Sequence, residues 1–226
     1  MPSTRQRPDT SAQAGRDALI DAARTLFAER GIDGVSIREL GRAAQQRNNN
    51  AVQYHFGDRE GLLLAVLSPW NEQVGARRAA LLDELEGIAA PSVRGLAGAL
   101  VLPCAAMLES SDGREYLQIV GELITDPANV RRRGPFDRTE LERWTRLAKS
   151  RMSETTFPLH RRFSAMNLAF TELGRRAATK RRGDNRLFVS DLIDLVTGLL
   201  GAEVSSETLR LLEERESSRA RSSTRR

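Results

Sequence analysis

Apolar residues recur along most of the chain at the spacing of one face of an α-helix. Between residues 16 and 31, RDALIDAARTLFAERG, they follow the i, i+1, i+4, i+7, i+8 order of a buried stripe, with Leu19, Ile20, Ala23, Leu26 and Phe27. Gly31 ends this helix, and Ile32 stands where it can contact Phe27 in a Schellman ending. Alternating β-branched runs joined by hairpin turns are scarce, so the pattern predicts an all-α protein.

A capping box marks the start of the second helix. Ser36 and Glu39 can satisfy each other's backbone amides, and Val35 and Leu40 stand at the flanking hydrophobic staple positions. We therefore predict a short helix over about residues 37–44.

The third helix follows a polar turn and is also short. In NNNAVQYHF, residues 48–56, the side chains expected to face inward are Ala51, Val52 and Phe56. Gly57 breaks this helix. Asp58 then caps a longer helix, whose buried face holds Leu62, Leu63, Val66 and Leu67.

The rest of the chain predicts a helical bundle. Proline and glycine positions divide it into approximate helices at 70–88, 92–110, 114–125, 137–155, 159–182 and 185–201, with a possible short helix at 206–216. The polar ends, 1–14 and the Arg-rich 217–226, are expected to be disordered tails. The expected domains are therefore 15–67 and 68–216.

Composition narrows the class of protein. The 226 residues, 40% hydrophobic and 29% charged, fit one or two soluble domains. No apolar run approaches the ~18 residues of a membrane span, and the N-terminus has no secretory apolar stretch, so a cytoplasmic protein without membrane association is expected. The single cysteine, Cys104, and the two histidines form no metal-ligand pattern. With no Gly-rich phosphate loop and no nucleophile–base set, we expect no metal, no cofactor and no enzymatic activity.

The three consecutive asparagines are explained if the third helix contacts the bases of DNA. Two short helices joined by a turn and packed on a preceding helix are the plan of a helix-turn-helix domain, whose second helix enters the major groove. Asparagine and glutamine match the N6 and N7 atoms of adenine. The candidate base-reading residues are Asn48, Asn49, Asn50 and Gln53. Asn48 or Asn49 can instead cap the helix, and a solvated loop is the plainer alternative.

Groups suited to phosphate surround this helix. Helix N-termini, hydroxyls and cations all bind phosphate oxygens. The candidates are Ser36, Arg38, Arg47, Tyr54, His55 and Arg59. Basicity alone does not single out this region, because residues 1–67 carry nine arginines against eight acidic residues.

These residues together resemble a known family. The stretch LIDAARTLFAERGIDGVSIRELGRAA…AVQYHFGDREGLLLAV is similar to the N-terminal DNA-binding domain of the tetracycline-repressor (TetR) family of transcriptional regulators. The most specific part is Tyr54-His55-Phe56-Gly57, followed by a charged turn and Leu62-Leu63. The resemblance implies a wholly helical homodimer that binds double-stranded operator DNA. It also implies a larger C-terminal domain for ligand binding and dimerisation, with release of the operator when a small molecule binds.

The turn between the two short helices departs from the family pattern. Family members usually have Ala-Gly-Val there, whereas this chain has Ala44-Gln45-Gln46, and the segment up to Tyr54 is about two residues longer. Which asparagine faces the bases is therefore left open. The C-terminal two thirds match no motif, so the effector domain follows from the resemblance alone.

The middle helices carry side chains that would suit an apolar effector. Aromatic and flexible groups line such pockets, and the candidates are Met107, Tyr116, Val120, Trp144, Leu147, Met166 and Phe170. Plain core packing explains the same residues equally well. Residues 131–182 hold fifteen Lys and Arg against five acidic residues, so an anionic group on the effector could meet arginines there.

One helix has more apolar surface than a single contact requires. In NRLFVSDLIDLVTGLLGA, residues 185–202, the apolar arc covers roughly 160° of the helical wheel, against about 100° for one core contact. We predict that this helix supplies the dimer interface, together with the helix at 159–182. The interface residues would be Phe188, Leu192, Leu195, Val196 and Leu199, with Leu192 or Val196 at the centre of the outer arc.

Two other functions compete with a ligand-responsive repressor. A constitutive DNA-binding protein would need no effector, but residues 68–216 exceed what dimerisation alone requires. A small helical enzyme is the second alternative, and the sequence lacks the catalytic sets that such an enzyme would need.

Overall fold

The computed structural model describes residues 10–46, 48, 50–125, 138–151, 159–179 and 183–223, and the regular structure within these ranges is wholly helical. The α-helices of the described part are α1 (Thr10–Arg30), α2 (Ile37–Ala43), α3 (Ala51–Phe56), α4 (Arg59–Glu86), α5 (Val93–Ala105), α6 (Ser111–Thr125), α7 (Arg138–Arg151), α8 (Arg161–Ala178), α9 (Arg186–Gly201) and α10 (Ser206–Ser223). A 3-10 helix, Ala106–Glu109, follows α5 directly. The prediction of an all-α fold is confirmed.

The N-terminal helices pack on one another through apolar side chains that belong to one continuous core with the rest of the described chain. Helices α1, α2 and α3 and the first turns of α4 contact one another. Phe27, Leu40 and Leu62 are fully buried there, and Val52 is 2% exposed. Phe56, which was also expected to face inward, is only half-buried.

The remaining helices form a second, larger packing unit. Helix α6 packs along α8, and α5 lies between α4 and α9. Leu100, Leu117, Trp144 and Val196 are fully buried in this bundle. Helix α1 also packs against α6, so the two units share a contact surface.

Helix α4 runs through the position where the sequence predicts a break. It extends over 28 residues and contains Pro69, so the separate helix expected from residue 70 does not exist. A proline inside a helix removes one hydrogen bond and crowds the preceding turn. Here the helix continues because residues on both sides of Pro69 are buried: Leu63 and Val66 before it, Val74 and Leu82 after it. The expected boundary at 67/68 therefore lies within one continuous helix.

Two segments predicted as disordered tails are partly helical. Helix α1 begins at Thr10, within the expected 1–14 tail, and α10 continues to Ser223, within the expected 217–226 tail. Polar composition suggested disorder, but side-chain pairs one turn apart support both helices. Gln13 donates to Asp17 at 2.8 Å, and Arg210 pairs with Glu207 and Glu214. Residues 1–9 and 224–226 lie outside the described residues.

Candidate nucleic-acid interface

The capping box at the start of α2 is present as predicted. The Ser36 hydroxyl accepts from the Glu39 amide at 3.3 Å, and the Ser36 amide donates to the Glu39 carboxylate at 2.8 Å. The amide and hydroxyl of Ser36 together hold the pKa of the Glu39 carboxyl below its usual range. Arg38, in the first turn of the helix, is exposed. The free N-terminal amides of α2 and the Arg38 cation therefore stand at one edge of the domain, where a phosphate would suit both.

The third helix is held by its apolar side and presents its polar side. Ala51 and Val52 are 4% and 2% exposed, whereas Gln53 lies on the surface and Tyr54 is 76% exposed. The Tyr54 and His55 rings meet edge to face, with centroids 4.8 Å apart. Because the Tyr54 phenol is exposed and takes no part in the core, its hydroxyl can donate to an acceptor outside the protein.

The asparagine triplet begins α3 by a local turn. The side-chain oxygen of Asn48 accepts from the Asn50 amide at 2.9 Å, and the Asn48 carbonyl accepts from Ala51 at 3.1 Å. Asn48 thus forms an Asx turn before the helix and does not occupy the N-cap position that the sequence left open for it. Asn50 occupies the N-cap position and is exposed, without a side-chain cap bond of its own. Two predicted contact residues, Asn49 and Arg47, lie outside the described residues.

The unusual turn keeps a left-handed backbone without glycine. Gln45 has φ of +53°, at the centre of the Ala44-Gln45-Gln46 turn. Glycine adopts this conformation at low cost, and other residues do so with strain. The Gln46 side chain donates to the Ala44 carbonyl and lies against Gly15 of α1. The turn is therefore fixed by local hydrogen bonds where the family pattern uses a glycine.

Arg59 does not have the position expected of a phosphate-contacting residue. Its guanidinium points inward, lies over the Phe27 ring at 5.3 Å, and donates to the carbonyls of Ile32 and Val35. It thereby ties the loop between α1 and α2 to the start of α4. The prediction that Arg59 contacts DNA is corrected, because its side chain is turned inward and its Nη2 already donates to the loop.

Two arginines that the sequence argument missed lie beside the predicted site. Arg42 is exposed on α2, and the Arg16 guanidinium of α1 stacks over the Phe56 ring at 5.2 Å. Helical spacing could have indicated Arg42, because it follows Arg38 by one turn. The Arg16 contact joins residues forty positions apart, which leaves no local pattern.

Carboxylates of α6 hold α1 at two places. Glu115 accepts from Arg24 Nε at 2.9 Å and from the Thr25 hydroxyl at 3.2 Å. Two turns further along α6, Glu122 accepts from the Ile32 amide at 2.9 Å. The predicted Schellman ending of α1 is therefore wrong. The Gly31 amide donates to the Phe27 carbonyl, which is the simpler left-handed helix ending. The Ile32 amide, which would close a Schellman motif, donates to the Glu122 carboxylate of α6 instead.

The residues proposed as pocket lining are packed in the bundle. Met107, Tyr116, Val120, Trp144 and Phe170 are each at most 4% exposed, and Leu147 and Met166 are half-buried. The Trp144 indole donates to the Leu96 carbonyl at 2.8 Å, which gives this side chain a structural role.

Two cavities on the surface of the described residues lie elsewhere. One, of about 290 Å³, is bordered by Ser110, Arg114 and Asn185. The other, of about 400 Å³, is an apolar groove bordered by Leu85, Leu102 and Ile193. None of the seven predicted lining residues borders either cavity, so their role as pocket lining stays a prediction. The arginines at 131–133 and 181–182 lie outside the described residues.

The predicted dimer helix, α9, has a buried side and an exposed side. Leu192 and Val196 are 1% and 0% exposed and pack inside their own bundle. The prediction that one of them lies at the centre of the surface facing a partner is therefore wrong. Leu195 is 51% exposed, and Phe188 and Leu199 are half-buried. Leu187, which the sequence argument did not select, is 83% exposed. The apolar surface available to a partner is therefore the side with Leu187, Leu195 and Leu199.

Along the described part of the chain, no helix combines the length and the apolarity that crossing a membrane requires. Its His, Cys, Asp and Glu residues likewise form no group of three or more that could hold a metal ion.

These features define the class of fold: an N-terminal helix-turn-helix domain joined to a helical bundle. Comparison with known proteins agrees. Residues 19–66 match the model of the family described as bacterial regulatory proteins, tetR family. The match covers the helix-turn-helix region and ends within α4.

Relatives match over part of the chain. The HTH-type transcriptional repressor AcnR of Corynebacterium glutamicum is 30% identical over 116 residues, which cover 50% of this chain and 52% of that protein. Its counterpart in Corynebacterium efficiens gives the same identity and coverage. The match therefore spans about half the length of these curated relatives. A crystal structure described as a TetR-family transcriptional regulator from Mesorhizobium loti is 17% identical, with a TM-score of 0.50, and covers 86% of this chain and 96% of that chain. This last likeness concerns the fold alone.

Proposed function

We propose that the protein is a transcriptional repressor that binds a two-fold symmetric operator as a homodimer and leaves it when a small molecule binds. The observation that carries the proposal is the two-sided character of α3. Ala51 and Val52 anchor the helix in the core, and Gln53 and Tyr54 stand on its open side. A helix that enters the major groove needs this division between packing and reading sides.

The residues of the site divide into two kinds. Gln53 and Asn50 are exposed amides on or beside α3 and are the candidate base readers, with Asn49 retained from the sequence. Tyr54, Arg38 and the amide end of α2 are the candidate phosphate contacts. The repressor relatives, each named as an HTH-type transcriptional repressor, support repression rather than activation.

Binding to the DNA upstream of the protein's own gene tests the proposal. Fluorescence anisotropy should give tight, salt-dependent binding to that DNA and weaker binding to a shuffled sequence. Gln53→Ala should cost about 1–3 kcal/mol on the operator and reduce the preference over shuffled DNA. Gln73→Ala, an exposed glutamine on α4, is the matched control and should bind as wild type does.

Tyr54→Phe should behave differently from Gln53→Ala. Loss of one uncharged phosphate contact weakens binding to operator and shuffled DNA alike and leaves the salt slope nearly unchanged, because the slope counts phosphates neutralised by cations. If both variants weakened the two DNAs equally, the division into readers and positioners would be rejected. If wild type bound neither DNA, the repressor function itself would be rejected.

The dimer is proposed on the exposed side of α9. Two half-sites of an operator require two copies of the reading helix, related by a two-fold axis. Leu187 and Leu195 are the most exposed apolar residues of α9. Helix α8, which packs beside α9, is the proposed companion in the interface.

The effector is proposed to be a mostly apolar small molecule that binds within the bundle formed by α4 to α9. The packing of Met107, Tyr116 and Phe170 into one apolar core supports this chemistry. A DNA-binding protein without an effector is the alternative. It predicts that no apolar compound changes DNA affinity, whereas an effector must weaken DNA binding by the same factor by which DNA weakens effector binding.

A further inference from the structure

Arg78 is a cation inside the bundle, and its hydrogen-bond partners among the described residues include no carboxylate. It lies on α4 with 3% of its surface exposed. Its Nε donates to the Ala99 carbonyl at 3.3 Å, and its Nη2 donates to the Leu100 carbonyl at 3.3 Å and to the Cys104 sulfur at 3.5 Å. The two bonds to carbonyls are slightly longer than the usual range, and all three acceptors are neutral.

A local structural role explains only one of these bonds. Pro103 lies inside α5 and has no amide hydrogen, so the carbonyl four residues earlier, that of Ala99, loses its helical donor. Arg78 Nε replaces that donor. A neutral side chain such as glutamine could do the same, whereas an unpaired buried charge is costly. The positive charge of Arg78 therefore needs a further reason.

Among the described arginines, Arg114 and Arg24 have their charge compensated by a helix end or by carboxylates, whereas the partly buried Arg59 rests on two loop carbonyls and the Phe27 ring. Arg114 rests on the carbonyls of Arg176 and Ala177, at the C-terminal end of α8, where the helix dipole is negative. Arg24 pairs with the carboxylates of α6. In the part of the chain that the structure describes, Arg78 pairs with no carboxylate, and its carbonyl acceptors lie within α5 and not at a helix end.

Polar groups of α4 and α6 accompany the cation. The Tyr116 hydroxyl donates to the side-chain oxygen of Asn71 at 3.0 Å, two turns before Arg78 on α4, and the Trp70 ring stacks on Tyr116 with centroids 6.1 Å apart. Burial raises the pKa of Tyr116 above its usual range, and the nearby Arg78 charge offsets a part of that. Tyr116 therefore stays a neutral donor. The other near neighbours on the inner face of α4, Val74 and Leu82, are apolar.

We propose that Arg78 is the anchor for the carboxylate of an effector with an apolar body, with Tyr116 as the second donor. The inference rests on the proposed function, because it names the ligand class of the same regulator. A planar guanidinium binds a carboxylate through two parallel hydrogen bonds. A single cation also balances a monoanionic carboxylate, whereas a phosphate monoester would keep excess charge in an apolar core.

The position of Arg78 gives such a ligand a route to the DNA-binding domain. Arg78 lies on α4, and the first turns of the same helix pack against α3. The distance along α4 from its first residue, Arg59, to Arg78 is about 29 Å, at 1.5 Å per residue. The Arg78 cluster is closed to solvent, so a ligand that reaches it must separate α4 from α5. The ligand then binds the separated arrangement in preference to the closed one, which is the requirement for shifting the equilibrium.

Titration of the full-length protein without DNA tests the proposal. The probes are hexanoate, decanoate and hexadecanoate, each compared with the neutral amide of the same chain length. Binding is followed by tryptophan fluorescence, because Trp70 stacks on Tyr116. Wild type should bind at least one carboxylate about tenfold or more tightly than its amide, as expected for a charge-assisted, two-point contact. Equal affinity for carboxylate and amide throughout, or no binding of any probe, would overturn the proposal.

Variants assign the preference to Arg78. Arg78→Gln, which retains a donor for Ala99, should lose the carboxylate preference while binding the amide within about threefold of wild type. Arg77→Gln removes the exposed arginine next in sequence and should keep the full preference. A folded Arg78→Gln that retains the preference would overturn the assignment. If Arg78→Gln does not fold, Arg78→Lys decides, because a point charge without the planar fork should reduce the preference at least threefold.

A separate measurement with operator DNA keeps the two proposals distinguishable. Carboxylate binding without any DNA binding would reject the repressor function and leave the Arg78 site standing. DNA binding with equal affinity for carboxylates and amides would reject the Arg78 site and leave the repressor function standing.

Discussion

Replacing Glu122 by alanine removes a contact through which α6 holds the end of α1. Glu122 Oε1 accepts from the Ile32 amide at 2.9 Å. The carboxylate also lies against Gly31, whose φ is +79° and where a Cβ would come within 3.1 Å of Glu122 Oε1. Side chain and glycine thus fit each other, and the contact joins the first turn after α1 to the bundle.

The magnitude follows from the burial of Ile32. This residue is 7% exposed, so its amide has little access to water once the carboxylate is gone. A buried amide without an acceptor costs about 1–3 kcal/mol, and Glu122→Ala should lower the free energy of unfolding by that amount. Glu122→Gln keeps an oxygen acceptor and loses only the charge, so it should cost about 1 kcal/mol.

Two measurements check this expectation. Urea unfolding gives the global change, with Glu172→Ala as the control, because Glu172 pairs with Arg175 on the surface of α8 and should cost about 0.5 kcal/mol or less. Hydrogen exchange gives the local change. The Ile32 amide should exchange roughly 5–150-fold faster in Glu122→Ala than in wild type, since each 1.4 kcal/mol is a factor of ten.

Some outcomes would refute the reasoning. If Glu122→Ala unfolded at the same urea concentration as wild type and Ile32 exchanged at the wild-type rate, the amide would have found another acceptor. The α1–α6 contact would then contribute nothing measurable. If Glu122→Gln cost as much as Glu122→Ala, the charge and not the hydrogen bond would hold the contact.

Four further variants separate roles that the structure assigns. Gln45→Gly should raise the free energy of unfolding by about 0.5–1 kcal/mol in urea, because left-handed backbone strains a residue with a Cβ and glycine entropy offsets only part of the gain; a loss of stability would contradict this. Arg59→Ala should lower the free energy of unfolding by about 1–3 kcal/mol and leave the salt slope of DNA binding unchanged, because the guanidinium donates to loop carbonyls. A smaller salt slope in this variant would instead support the original prediction that Arg59 contacts a DNA phosphate. Leu195→Arg should give a folded monomer in sedimentation experiments, whereas Leu192→Arg should lose its helical circular dichroism, because only Leu192→Arg buries a cation in the core. If Leu195→Arg were still a dimer, the proposed interface would be rejected.

Local signals in the sequence predicted the helix-turn-helix region well. The capping box at Ser36 and the cap at Asp58 are interactions within four residues, so the sequence contains all the information that they need. The buried positions of Ala51 and Val52 follow from helical periodicity. Arg59 differs, because its partners are backbone carbonyls 24 and 27 residues away, and no residue type in the sequence marks a carbonyl as an acceptor.

Longer-range features could not be predicted for related reasons. Glu122 meets Ile32 ninety residues away, and only the packing of α6 on α1 brings them together. The course of α4 through Pro69 depends on burial on both sides of the proline, which outweighs the missing hydrogen bond. Local propensity alone favours a break at that position.

The apolar arc of α9 shows the limit of periodicity most clearly. A helical wheel gives the width of an apolar surface, but it does not say which half packs against the same chain. Leu192 and Leu195 both lie within the arc, and yet one is 1% and the other 51% exposed. The difference arises because α5 and α8 both pack against α9 and together cover the side that contains Leu192 and Val196. Only the side with Leu187 and Leu195 then has apolar area left for a second copy. A charge placed there tests association, whereas a charge placed at Leu192 tests folding.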